Sequence, residues 1–157
     1  MKKILLAYGA LVLVVVALAF FKFNGATFFS GLGTGSSVSI NGQKFEVEVA
    51  NNDTSRQVGL SGRKSLDQKK GMIFLFEKKD KYSFWMKNTL IPLDIIFIDN
   101  DKIVHITKNA IPEKDVKGTL PIYKTPVNAN KVLEINGGLS EKNKFKNGDK
   151  VTFTNVR

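Results

Sequence analysis

The chain has 157 residues, with 24 Lys and Arg against 14 Asp and Glu, one His and no Cys. The lack of cysteine excludes disulfides, thiol nucleophiles and thiolate metal sites together. A formal charge of +10 is compatible with anionic partners, but no nucleic-acid-binding motif accompanies it, and nucleic acid is not expected as a partner.

Residues 1–22 read as a signal anchor or signal peptide. Lys2 and Lys3 precede an uncharged run from Ile4 to Phe21, closed by Lys22. As a helix these eighteen residues span about 27 Å, enough to cross a bilayer core. The basic amino end belongs in the cytoplasm, so the rest of the chain lies outside it. The length favours an uncleaved anchor, a single pass with an extracytoplasmic domain. Ala17-Leu18-Ala19 offers a cleavage site as the alternative, which would make the domain secreted. Residues 23–37, with Asn-Gly, Gly-Leu-Gly-Thr-Gly and Ser-Ser, form a flexible tether, and residues 38–157 are enough for one exported domain. After Lys22 the balance is 21 Lys and Arg against 14 Asp and Glu, scattered without a long run. Such a surface is solvated, with some attraction to anionic lipid or wall polymer.

The domain reads as mainly β. Val38–Ile40 and Phe45–Val49 alternate apolar and polar residues on either side of Asn41-Gly42, a hairpin signal. Asp53 or Thr54 caps a short helix limited by Gly59 and Gly62. Gly71–Phe76 is an apolar run of strand length, buried on both sides. In the strand Tyr82–Lys87, Phe84 and Met86 share one face and Trp85 and Lys87 the other. Leu93–Ile98 and Lys102–Thr107 form a hairpin about Asp99-Asn100-Asp101, and alternation puts His105 on the side of Ile103. Ala110–Pro126 reads as a long loop. Val132–Ile135 is a strand, Ser140–Phe145 one helical turn, and Lys150–Val156 the last strand. About eight short strands and one or two short helices, behind an N-terminal membrane helix, predict a compact β-barrel or sandwich.

Several landmarks, taken in order, resemble one known family. They are Arg56-Gln57-Val58-Gly59-Leu60 with Arg63, Gly71-Met72-Ile73-Phe74, Phe84-Trp85-Met86-Lys87-Asn88-Thr89 and Pro92-Leu93-Asp94. Val132-Leu133-Glu134-Ile135-Asn136-Gly137-Gly138 and Gly148-Asp149 complete the set. The chain resembles the prokaryotic family known as domain of unknown function 192, over roughly Ser37 to Val156. The resemblance implies a small β-rich domain, often exported, with no established activity and no catalytic residues to transfer. Ser55 and Ser61 stand where that family usually has Glu and Met.

The densest mixture of polar and apolar residues is 84–94, where polar groups inside a strand pattern must find partners or line a site. Arg56, Arg63, Lys87, Asp94 and Glu134 read first as a buried ion-pair network pinning the helix to the barrel. Their second reading is a site in which the arginines hold an anionic ligand. Trp85 reads as core or, with Lys87, Asn88 and Thr89, as a platform that stacks on a sugar ring. Neither a metal nor a cofactor is expected: His105 lacks ligand-spaced partners, and Asp99-Asn100-Asp101 is a turn. The leading functional reading is a non-catalytic, membrane-tethered extracytoplasmic module that binds an envelope glycan or anionic ligand, or serves as a structural partner. Its candidate site is Arg56, Arg63, Trp85, Lys87, Asn88, Thr89, Asp94 and Glu134. The alternative is a carbohydrate-active hydrolase using Asp94 and Glu134 as an acid/base pair.

Overall fold

The computed structural model describes residues 35–157. The expected membrane helix at 1–22 and most of the expected tether lie outside them. Among the described residues no helix is long and apolar enough to cross a membrane.

Nine strands carry the fold: β1 Ser37–Ile40, β2 Gln43–Ala50, β3 Lys70–Asp80, β4 Ser83–Trp85, β5 Leu93–Asp99, β6 Lys102–Ala110, β7 Ile122–Lys124, β8 Ala129–Asn136 and β9 Val151–Thr154. Two short helices, α1 Asp53–Val58 and α2 Leu139–Lys142, and a 3-10 turn at Glu113–Asp115 complete it. Seven strands form one sheet in the order β6-β5-β8-β3-β2-β1-β9, and β4 and β7 form a separate two-stranded ribbon. All pairings are antiparallel except β2 with β3. That parallel pair needs a crossover, and residues 51–69 with α1 supply it. The sheet curls into a half-barrel whose two edges touch at one end. There Lys102 bridges Lys150, and the Ile103 N–H donates to the Asp149 carbonyl at 3.0 Å.

Local chemistry explains the corners. Asn41 and Gly42 both take positive φ, 49° and 81°, the conformation of a tight hairpin turn. Asn52, not Asp53 or Thr54, caps α1: its side chain accepts from the Ser55 N–H, and the Ser55 hydroxyl accepts in return from the Asn52 N–H. Ala110–Pro126 is not wholly irregular, because Ile122–Lys124 pairs with Ser83–Trp85. The β5–β6 register carries an extra residue at Val104, between the pairs Ile98–Ile103 and Phe97–His105. This bulge turns His105 away from the face of Ile103 and onto the ring of Phe97.

The sheet is apolar on both faces. All seven of its strands contribute to the inner cluster, which includes Val38, Phe45, Ile73, Ile96, Ile103, Leu133 and Val151, and Leu139 and Phe145 plug it. The outer cluster is narrower. Met72, Phe74, Leu93, Ile95, Phe97 and Val132 from β3, β5 and β8 are covered by Leu60 after α1 and by Met86 after β4, with Phe84 of the ribbon packed against them. With both faces covered, the three central strands read as solid apolar runs rather than alternating ones. One polar residue breaks that outer face, and the candidate site is built around it.

Candidate functional site

Glu134 lies in the middle of the outer cluster. Its cross-strand neighbours are Met72 on β3 and Ile95 on β5, and only 5% of the residue is exposed. No hydrogen bond or ion pair from the described residues reaches its carboxyl. Burial pushes that carboxyl from its ordinary 4.5 up to about 8, and desolvation is the cause. At neutral pH the group is therefore an uncharged acid with an O–H to donate. It opens on a cavity of about 40 Å³ that it shares with Ser61, Phe84, Lys87 and Thr89. By the space a water needs, that volume holds roughly three waters or one small substituent.

The cavity adjoins a wider groove between α1 and β4, about 390 Å³ in volume, with which it shares Arg56, Gln57, Phe74, Phe84 and Trp85. The groove wall is aromatic. Phe84 meets Phe74 edge to face at 5.2 Å, and Phe76 stacks on Tyr82 at 3.7 Å. Alternation along β4 turns Phe84 inward and leaves Trp85 outward and 55% exposed, opposite Ile122, itself 61% exposed. Trp85 is thus not a core residue. Lys87 sets its ammonium 5.3 Å from the centre of the indole. Val58, also exposed, lines the inner cavity beside Trp85.

The backbone after β4 is held tightly. Asn88 takes φ of 55°, and its N–H donates to Glu113 Oε2 at 2.6 Å. The Gly62 N–H donates to the Asn88 carbonyl at 2.8 Å, which ties this turn to the loop after α1. Thr89 is buried, and its N–H closes the turn on the Met86 carbonyl at 3.0 Å. Lys87 and Thr89 thereby reach the cavity from a fixed frame. Sequence reasoning missed Glu113 and the wall residues Phe76 and Tyr82. The aromatic spacing at 76, 82 and 84 carried the signal for the wall.

The predicted ion-pair network is not assembled. Arg56 donates to the Leu75 carbonyl at 2.7 Å and to Asp53 Oδ1 at 2.6 Å, and lies 5.3 Å over the Phe76 ring. Arg63 makes a two-pronged pair with Glu48, at 2.6 and 2.5 Å. Each arginine has an acidic partner close in the chain or on the neighbouring strand, so neither needs a carboxylate from the core. Asp94, fully buried, is a structural cap. Its Oδ1 accepts from the N–H groups of Asn109, at 2.7 Å, and Gly138, at 3.0 Å, and its Oδ2 from that of Ser140, at 2.6 Å. It thus serves the start of α2 from another strand.

Asp94 and Glu134 do not converge. Asp94 pairs with Ile135, whereas Glu134 pairs with Ile95. Directly paired residues share a face and successive residues alternate, so the two carboxyls project from opposite faces of the sheet. Arg56, Lys87, Thr89, Trp85 and Glu134 line one cavity; Arg63 and Asp94 are not among its lining residues, and Asn88 contributes backbone to its frame. Among the described residues no cluster of three His, Asp or Glu side chains is placed to hold a metal ion.

Another hollow, of about 670 Å³, lies between the β1–β2 turn, Gln68-Lys69 and α2. Lys44, Lys69 and Lys142 line it as solvated, exposed side chains, and no buried polar group opens on it.

Fold and site together define a small curled-sheet domain with a sheltered acid between a short helix and a flanking ribbon. The chain belongs to the family of domain of unknown function 192, described as "Uncharacterized ACR", whose model matches residues 36–153. Among solved structures it is similar to a protein of unknown function from Novosphingobium aromaticivorans. That protein is 36% identical with a TM-score of 0.67, the match covering 80% of this chain and 89% of the other. It is also similar to a protein described as a proposed transcription regulator from Sinorhizobium meliloti. The identity there is 28% and the TM-score 0.66, with 75% of this chain and 91% of the other covered. No curated protein matches the chain.

Proposed function

We propose that this protein is a non-catalytic binding module of the cell envelope, tethered by residues 4–21 and exposed on the outer side of the membrane, with its ligand site in the groove between α1 and β4. The observation that carries the binding reading is Glu134, a buried acid without a partner at the end of an aromatic groove. Leaving such a group unpaired costs stability, and sites that break the rules of stable folding in this way are commonly functional. A groove of about 390 Å³ falls within the usual range for small-ligand sites, ~300–1,000 Å³. The lone acid supports binding rather than hydrolysis: Asp94, its expected partner, is on the other face and engaged by three backbone N–H groups.

Trp85 is the only Trp in the chain and stands at the mouth of the groove, so its fluorescence reports occupancy directly. Full-length protein in detergent is titrated with peptidoglycan disaccharides and with galacturonic acid oligomers. The expected result is a change in Trp85 emission and protection from acrylamide, both lost in Glu134→Leu. If no saccharide protects Trp85, the groove is not a glycan site. Location has its own test: protease added to intact protoplasts should remove residues 35–157 while leaving cytoplasmic proteins whole. Resistance to that protease would place the domain on the other side.

A further inference from the structure

Taking the groove as a ligand site, we propose that it selects an acidic sugar, one whose ring stacks on Trp85, whose small oxygen-bearing substituent enters the cavity at Glu134, and whose carboxylate or phosphate meets Lys87. Three observations converge on this class. The inner cavity, about 40 Å³, admits a hydroxyl or hydroxymethyl group and excludes a ring. Burial keeps Glu134 protonated at neutral pH, so the cavity offers that substituent a donor and seeks an acceptor oxygen.

The third observation is Lys87. Among the described residues its ammonium has no carboxylate partner and lies 5.3 Å from the centre of the Trp85 ring. A ring that stacks on that indole face displaces the ammonium and leaves a cation beside the bound ligand. An acid group on the ligand restores its pairing; a neutral sugar does not. Arg56 adds less, because Asp53 and the Leu75 carbonyl already engage it. An ammonium-bearing ligand fits poorly, since both cations stand on its way to Glu134.

The charged groups facing Glu134 are Arg56 from α1 and Lys87 from the segment after β4, with Asp53 farther out in the groove. Above the carboxyl's value of about 8, ionised Glu134 loses its donor and repels an acidic ligand, so affinity falls between pH 7 and 9.

The test compares matched ligands on full-length protein in detergent, read by Trp85 fluorescence at pH 7 and low salt: galacturonic acid oligomers against galactose oligomers of equal length, and glucose 6-phosphate against glucose. We expect the acidic member to bind about ten- to a hundredfold tighter, the range of one charge-assisted hydrogen bond. Lys87→Ala should bring it down to its neutral counterpart, and Glu134→Gln, which keeps a donor, should retain binding and lose the decline toward pH 9. If acidic and neutral sugars bind alike and Lys87→Ala changes nothing, the acidic-sugar proposal fails while the groove remains a glycan site. If none of the four ligands, and no peptidoglycan disaccharide, alters Trp85 emission or quenching, both readings fail. The two pairs also separate a carboxylate preference from a phosphate preference.

Discussion

Glu134 and Asp94 sit one register step apart and have opposite fates. Unfolded, Glu134 ionises near 4.5; folded, it keeps its proton until about 8. Between those values the folded state holds the extra proton, so this residue's contribution is best below 4.5 and worsens as pH rises toward 8. At pH 7 the cost is on the order of 3 kcal/mol. Glu134→Gln is therefore expected to be more stable than the parent by an amount that grows from pH 5 to pH 8, measured by urea unfolding at several pH values. A constant difference would mean that the carboxyl is solvated. Asp94 behaves as a brace: Asp94→Ala strands three N–H groups beside α2 and should cost about 3 kcal/mol or more by the same assay. That the two acids in strand patterns would be special was legible in the sequence. Which one was satisfied was not, because the partners of Asp94 are backbone groups at Asn109, Gly138 and Ser140, and backbone groups leave no mark in a sequence.

Within one element, β4, neighbouring aromatics should respond in opposite ways. Phe84 packs against Phe74 and Phe97, and Phe84→Ala should cost about 3 kcal/mol. Trp85→Ala removes an exposed ring and should change thermal stability by less than about 0.5 kcal/mol while abolishing groove occupancy. A large stability loss on replacing Trp85 would return it to the core. The ribbon formed by β4 and β7 shares no ladder with the main sheet. Its amides should exchange with deuterium well before those of β3, β5 and β8, as mass spectrometry of exchanged peptides would detect. The facing of β4 could be read from its alternation, and the β1–β2 and β5–β6 hairpins from their Asn-containing turns. β7 could not be read: a three-residue strand between prolines owes its existence to a partner 37 to 41 residues earlier in the chain, the Ile122–Trp85 pair being the closest at 37. The Val104 bulge that rotates His105 was likewise invisible to strict alternation.

For the molecule as a whole, counting strands was enough to predict a β-barrel or sandwich, and the half-barrel with two short helices agrees with that class. The order of the strands was out of reach, since it depends on which apolar runs are buried on both faces. Three are, and β8 lies between the other two. That position sets when the chain can acquire its structure. Until residues 129–136 are available, β1–β2–β3 and β5–β6 are two fragments with no strand to join them, each with an open apolar edge. A growing polypeptide thus remains unfolded until residues 129–136 have emerged, the state that the export proposed above would require of it. Chains ending at residue 128 should stay protease-sensitive and bind chaperones, whereas chains ending at residue 157 should not.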